Sequence, residues 1–322
     1  MSTVVVSPTL PPCPTTGRPA IRRVQGFSTQ LLIALWRAAG AGDVSSLFAG
    51  IGEIVLYESD TGLYFFDPMI AGDNNFYQSF YGKHRIRNLE TSRSVSRVEF
   101  KHAATYVPSG ASVLDVGCGA GLFAQHVSHA HFHGLDPYAP KHADRSIMRT
   151  TLEEHSERFS ETYDVVTAFQ VIEHTADPRR FTQRLLKLLK PGGLLMLGAP
   201  LHPSTLTEIP NLMLNAPPHH LTWWCPSAFQ ALATAFDLKN VQISTLPASP
   251  HEGLIFWMRF FSVARPDAAP NERYLAHRWM WHLNLAWCYG LGRLADRLLP
   301  LPKLARPIDV FMVARKSSAH HL

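Results

Sequence analysis

Three groups of residues have the types and spacing to do chemistry. The first is Asp115-Val116-Gly117-Cys118-Gly119-Ala120-Gly121, with glycines at alternate positions behind an aspartate. Glycine is required where the backbone takes unusual dihedrals or must let a ligand come close. The spacing is G-x-G-x-G, not the G-x-G-x-x-G of dinucleotide folds. An acid before the turn repels a phosphate and suits a cationic ligand. The second is Asp136, in Phe132-His133-Gly134-Leu135-Asp136-Pro137. A carboxylate at the end of a second strand can accept hydrogen bonds from both hydroxyls of a ribose. The third is Asn215-Ala216-Pro217-Pro218-His219-His220-Leu221-Thr222-Trp223-Trp224. Its prolines stiffen the loop, its tryptophans offer an apolar wall, and its histidines offer a base near neutral pH.

Taken together, the loop and Asp136 point to an adenosine-bearing cofactor with positive charge and no phosphate. S-adenosylmethionine, with its sulfonium and ammonium, meets that description. The competing reading of Gly117, Gly119 and Gly121 is an ordinary strand–helix turn. For His219 and His220 it is that one or both cap the following helix or bond backbone. Adjacent side chains generally point different ways, so at most one of the pair is expected to be the base. His202 is a third and weaker candidate.

These residues need elements to position them. Residues 111–116, 131–135, 146–149, 163–169, 194–197 and 240–244 read as strands, and 308–314 as a last strand near the C-terminus. Helices are expected over 122–129, 178–189 and 226–236. The helix at 178 starts on proline and stops at Lys190-Pro191-Gly192-Gly193. Strands alternating with helices predict a doubly wound, mostly parallel α/β sheet with helices on both faces. Before it, a helix is expected over 21–37, two strands over 54–57 and 63–66 around Asp60-Thr61-Gly62, and a helix over 93–106. The aromatic run Phe76 to Tyr81 lies between. Tyr77, Phe80 and Tyr81 either close over the cofactor or form the core of this cap. The expected division is a disordered tail over 1–20, an N-terminal cap over 21–97, the core over 98–245, a helical insertion over 246–306 and the last core strand over 307–316.

The four blocks Val113 to Gly121, Tyr163-Asp164-Val165-Val166, Val171 to Pro178 and Leu188 to Gly193 resemble class I S-adenosylmethionine methyltransferases, in the family's order and spacing. Within that family the chain is similar to the quinone-biosynthesis O-methyltransferases and bacterial sugar and small-molecule methyltransferases. The resemblance covers residues 98–244 and the last strand. It implies a seven-stranded, Rossmann-like sheet with the final strand antiparallel. It implies cofactor contacts from Asp115, Gly117, Cys118, Gly119, Gly121 and Asp136, with Thr151 and Leu152 near the adenine and Gln170 near the methionine part. The Pro-Pro-His-His-Leu stretch also has counterparts in the family.

Two departures from the family matter. Some quinone-type relatives carry Glu-x-x-Glu-His and are linked to a divalent metal. Here Gln170 stands at the first position, and Glu173 with His174 makes a poor site for a hard cation. No metal is expected, and Glu173 and His174 read as structural. Some relatives have a Cys-x-x-Cys zinc knuckle in the cap hairpin. Here Ser59 and Gly62 stand in that region, without a thiol.

The bulk properties narrow the partners. The net charge of +5 comes from scattered basic residues. No Lys/Arg run or nucleic-acid module is present, and Phe169-Gln170-Val171-Ile172 stands where an Asn-Pro-Pro-Tyr motif would sit. A small-molecule acceptor is therefore expected, with DNA excluded and RNA disfavoured. An RNA or protein methyltransferase and a non-catalytic cofactor-binding partner are the competing classes. The four cysteines, Cys13, Cys118, Cys225 and Cys288, are far apart and fit a reducing cytosol. The N-terminus has no secretory pattern, so a cytoplasmic protein is expected. The insertion, with Arg278-Trp279-Met280-Trp281-His282 and the stretch 283–299, contains no membrane span. It reads either as a helix lying on a bilayer or, preferably, as one covering the substrate pocket and packing on the core. The acceptor is expected to be a sugar, phenolic or lipid-linked hydroxyl compound.

Overall fold

The near-continuous apolar runs of the central strands form a sheet buried on both faces. The structure, a computed structural model, describes residues 10–83, 97–140, 144–248, 252–266, 273–300 and 306–318, without the side chains of 81–83. Successive residues in a strand face opposite sides. Leu114, Val166, Leu197 and Met312 accordingly join one apolar cluster, while their neighbours Val113, Val165, Met196 and Phe311 join another.

In chain order the elements are β1 (Arg22–Ser28), α1 (Thr29–Ala38), β2 (Glu53–Glu58), β3 (Tyr64–Asp67), α2 (Asn74–Lys83), α3 (Val98–Ala104), β4 (Ser112–Val116), β5 (His131–Leu135), β6 (Ile147–Met148), α4 (Leu152–Arg158), β7 (Tyr163–Phe169), α5 (Pro178–Leu188), β8 (Leu189–Pro200), β9 (Thr222–Trp223), α6 (Pro226–Ala235), β10 (Lys239–Pro247), α7 (Gly253–Phe261), α8 (Trp279–Leu298) and β11 (Pro307–Arg315). The main sheet has seven strands in the order β10-β11-β8-β7-β4-β5-β6. β6, β5, β4, β7 and β8 pair in parallel, and β11 is antiparallel to both β8 and β10. This is the doubly wound sheet that the strand–helix alternation predicts, with the seven strands and antiparallel last strand that the family resemblance implies.

A second, four-stranded sheet has the order β1-β2-β3-β9. β9 follows the His219-His220 loop directly and pairs with β3 through Tyr64↔Trp223 and Phe65↔Thr222. The N-terminal strands are thereby built onto the candidate site. α1 buries Leu31, Leu32, Leu35 and Trp36 behind this sheet.

Several elements differ from expectation. The helix predicted over 21–37 is strand β1 followed by α1. Val24, Phe27, Leu31 and Leu35 happen to fall at helical spacing across the junction. The actual start is set by Ser28, whose hydroxyl accepts from Leu31 N–H at 3.2 Å as an N-cap. Over 122–129 only a short 3₁₀ turn, Leu122–His126, forms. Beyond it the chain is drawn back to the base of β4, where His129 Nε2 donates to the Val107 carbonyl at 3.0 Å. β8 begins at Leu189, earlier than predicted. The first residues of the helix expected over 93–106 lie outside those described.

The expected disordered tail is folded over residues 10–20. Residues 1–9 lie outside the described part, but residues 10–20 fold back on themselves. Cys13 N–H donates to the Arg18 carbonyl at 2.7 Å, and the Cys13 side chain is buried in the main core. The insertion forms two helices, α7 and α8, which run past each other in opposite directions. Gly253 lies opposite Asp296, and Met258 opposite Gly292.

Candidate functional site

The glycine loop joins the end of β4 to the 3₁₀ turn at 122–126. Gly117, Gly119 and Gly121 all have positive φ, at 72°, 56° and 76°. A side chain at Gly117 would strike Val171 Cγ2 at 2.4 Å, and one at Gly121 would strike Ile147 Cδ1 at 2.7 Å. A side chain at Gly119 would meet nothing within 4 Å. The first and third glycines are therefore closed in by neighbours, while the second opens onto free space. Gly117 N–H donates to the Leu135 carbonyl at 2.7 Å, which ties the loop to β5. Cys118 packs its sulfur toward Gly134, and burial pushes its thiol pKa up.

Asp136 closes this corner. One carboxylate oxygen accepts from Gly119 N–H at 2.9 Å, and the other accepts from Tyr138 N–H at 2.7 Å. Burial nevertheless holds this carboxyl above the ordinary aspartate range. Thr151 and Leu152 stand beyond the end of β6, beside the Asp136 edge. The Thr151 hydroxyl caps α4 by accepting from Glu154 N–H at 3.2 Å, and the Leu152 side chain is buried in the main core. Any contact of these two with a ligand would therefore fall mainly to backbone.

Asp115 lies below the loop, buried, and accepts from Thr167 Oγ1 of β7 at 2.7 Å. Burial pushes its carboxyl up to about 7. Gln170 stands at the end of β7 with a left-handed backbone, φ 59°. Its side chain joins two buried carboxyls, with Nε2 3.1 Å from Asp309 Oδ1 and 3.4 Å from Glu99 Oε1. Arg97 pairs with Glu99 at 2.6 Å. Burial pushes Glu99 up to about 7 and Asp309 well above its ordinary range. Sequence reasoning missed Arg97, Glu99 and Asp309. The available signal was Asp309 itself, a lone carboxylate in the apolar run from Ile308 to Ala314.

The third group is a cluster of histidines. His219 and His220 are both buried, at 6% exposure. His174 joins them from the 3₁₀ turn after β7, with ring centroids 4.6 Å from His219 and 4.9 Å from His220. His174 Nδ1 lies 2.7 Å from the His219 carbonyl, and His219 Nδ1 lies 3.0 Å from the Leu214 carbonyl. A carbonyl can only accept, so each Nδ1 carries the proton and each Nε2 keeps its lone pair. Burial pushes His174 down to about 4, and pushes His219 and His220 well below their ordinary value. All three rings are neutral at pH 7. Glu173 is buried beside them. Neither of its carboxyl oxygens has a hydrogen-bond partner among the described residues, and burial raises its pKa strongly.

This arrangement amends two expectations. His174 does not merely support a turn, because it faces both candidate bases. The expectation of no metal weighed only Glu173 and His174, whereas one nitrogen from each of the three rings lies within 4.8 Å of the others. Such a set of imidazoles could hold a borderline cation. The oxygen-rich site of quinone-type relatives does not fit, since Gln170 replaces its first carboxylate and turns toward Glu99 and Asp309. His202 sits elsewhere, between Tyr64 and Trp223.

The cap supplies the remaining wall. Phe80 lies 4.8 Å from the His219 ring. Tyr77 lies between the two halves of the site, with its ring 5.9 Å from Tyr138 and 6.1 Å from His174. Trp36 Nε1 donates to the Pro217 carbonyl at 2.7 Å. The Tyr81 side chain lies outside the described residues.

A family model described as a methyltransferase domain matches residues 82–243. The chain is 40% identical over 97 residues to the ubiquinone biosynthesis O-methyltransferase of Erwinia tasmaniensis, covering 26% of this chain and 40% of that protein. It is 37% identical over 97 residues to the protein of the same name from Cronobacter sakazakii, with the same coverage. The match thus spans 40% of the length of these curated relatives. A SAM-dependent methyltransferase structure from Archaeoglobus fulgidus superposes with a TM-score of 0.46 at 16% identity, over 73% of this chain and 100% of that one.

Proposed function

This chain belongs to the methyltransferase-domain family, and on that premise we propose that it transfers the methyl group of S-adenosylmethionine to a hydroxyl of a small molecule. The observation that carries this reading is the Asp136 carboxylate, which accepts from Gly119 N–H at 2.9 Å beside the glycine whose Cβ side is open. A carboxylate at the end of the second strand is where a ribose is held in such sheets. Gly117, Cys118, Gly119 and Gly121 would shape the bed for the cofactor. Asp115 and the Arg97–Glu99–Gln170 cluster line the end of the site toward β7. The loop carries no basic residue, which suits a cationic cofactor better than a phosphate.

The sulfonium supplies a methyl group already activated for displacement. What remains for the protein is to align the acceptor and to take its proton. His219 or His220 is the base in this reading. A neutral imidazole has the lone pair the step requires, and His219 has its Nδ1–H committed to the Leu214 carbonyl. His174, Phe80 and Tyr77 confine the space around these rings. A buried base suits a compact acceptor, such as a sugar, a phenol or the headgroup of a lipid-linked intermediate. The curated relatives are named for O-methylation, in keeping with a hydroxyl acceptor. The same burial argues against an RNA strand or a folded protein.

The test is calorimetric titration with S-adenosylmethionine and S-adenosylhomocysteine, comparing wild type with Asp136→Ala. Binding should weaken at least about tenfold, or about 1.4 kcal/mol. An acceptor screen with His219→Gln and His220→Gln would then identify the base. Absence of cofactor binding by the wild type, with candidate acceptors present, overturns the reading.

A further inference from the structure

The outward face of α8 is apolar where a water-facing helix is normally polar. Its inner face carries the buried Trp281, and Cys288 and Gly292, which pack against α7 and, for Cys288, the loop after β8. On the opposite side Trp279, Leu283, Trp287, Leu294 and Leu298 follow one another at helical spacing and are 55–71% exposed. The end of α7 adds Phe260 and Val263, at 65% and 82%. Single exposed apolar residues need no explanation, but a continuous stripe marks an interaction surface.

The charges beside the stripe have one sign. Arg293 and Arg297 are exposed on the helix. Its one acidic residue, Asp296, points inward, since a side chain on Gly253 would meet its Oδ1 at 2.4 Å. Two copies meeting through this face would bring arginines toward arginines, whereas an anionic surface complements them. Tryptophan and leucine on one side of a helix, with arginines at the margin, is the composition of a helix lying in a bilayer interface. No described helix is long and apolar enough to cross a membrane, which leaves α8 to lie flat.

We infer that the outer face of α7 and α8 docks this protein on an anionic lipid bilayer. The placement relates to the site. Asn211, in the loop after β8, holds the segment between α7 and α8 through both hydrogen bonds of its amide to Ala276, at 2.9 and 3.0 Å. β11, the next described element after α8, places Asp309 beside Gln170. The helical pair is therefore tied to the sheet edge that carries the candidate site. Docking itself stands whichever hydroxyl is methylated.

The experiment is co-sedimentation of the full chain with vesicles of phosphatidylcholine alone, or of phosphatidylcholine mixed with phosphatidylglycerol. Wild type is compared with Leu283→Glu, Trp287→Glu and the double variant Arg293→Gln/Arg297→Gln. All of these positions are exposed, and a thermal melt confirms that each variant folds. Wild type should bind the mixed vesicles. Each glutamate variant should bind them at least about tenfold more weakly, the scale of one lost apolar side chain. The double arginine variant should lose about fivefold per charge and with it the preference for anionic lipid. Failure of the wild type to bind the mixed vesicles overturns the inference. So does binding unchanged in both glutamate variants, or a wild-type dimer in the ultracentrifuge that the same variants make monomeric.

Discussion

The Nδ1–H of His174 donates to the backbone carbonyl of His219 at 2.7 Å, joining residues 45 apart in the chain. This bond sets the tautomer of His174, and it also holds the loop on which both candidate bases ride. His174 is thus a positioning residue in the proposed reaction. His174→Ala is expected to lower kcat more than about tenfold through misplacement of the loop, with cofactor affinity little changed. A fall in cofactor affinity equal to the fall in kcat would show that His174 acts elsewhere. A chelator should leave the wild-type rate unchanged. Loss of activity that added zinc restores would assign the three rings to an ion instead of a base.

Stability should report the buried titrating groups with opposite signs. His174 is pushed down to about 4 in the fold, against about 6.5 in an unfolded chain. Between these values the unfolded chain holds a proton that the fold does not. The contribution of neutral His174 is therefore full above about 6.5 and is lost as pH falls toward 4. Asp115 is pushed up to about 7, so its contribution is full in acid and is lost as pH rises toward 7. Urea unfolding at several pH values checks this. In that window His174→Gln should lower the slope of stability against pH by about 1.4 kcal/mol per unit, and Asp115→Asn should raise it. The same sign of change for both would contradict these assignments.

Gly117 and Gly119 should separate stability from binding. Both have left-handed backbones, costing about 1–2 kcal/mol in an alanine variant. Gly117→Ala also drives a methyl into Val171, at 2.4 Å, whereas Gly119→Ala points into open space. Thermal melts should show Gly117→Ala as clearly the less stable. Titration should show that Gly119→Ala loses cofactor affinity out of proportion to its small loss of stability. Unchanged affinity in Gly119→Ala would mean that the open space is not the ligand's.

Trp36 ties the N-terminal part to the histidine loop. Its indole N–H is donated to the Pro217 carbonyl at 2.7 Å, and the side chain is buried. Trp36→Phe keeps most of the apolar contact and leaves that carbonyl unpaired, at a cost of about 1–3 kcal/mol. A lower kcat with unaltered cofactor affinity is expected in steady-state kinetics. Full activity would remove Trp36 from any role in holding the loop.

Much of the fold was legible in local pattern. The short, near-continuous apolar runs of β4, β7, β8 and β11, set between helical segments, announced the sheet. Pro178 marked the start of α5, which the structure also caps through Asp177 Oδ1, accepting from Arg180 N–H at 2.8 Å. The reading failed where two elements shared one spacing, as across β1 and α1. It also failed where a distant contact cut an element short, as His129 did beyond residue 126. The exposed apolar stripe of α8 was visible as Trp- and Leu-rich sequence. Which of its two apolar faces is buried depends on α7, and that was not legible.

The glycine loop and Asp136 could be found from sequence because backbone dihedrals and strand ends are local properties, written into neighbouring residues. The partners of Gln170 could not, since Glu99 and Asp309 lie 71 and 139 residues away. Nor could the meeting of His174 with His219 and His220, or the pairing of β3 with β9. Those contacts exist because strands far apart in the chain become neighbours in the sheet, and the strand order, not the spacing of residues, decides which side chains share a buried space.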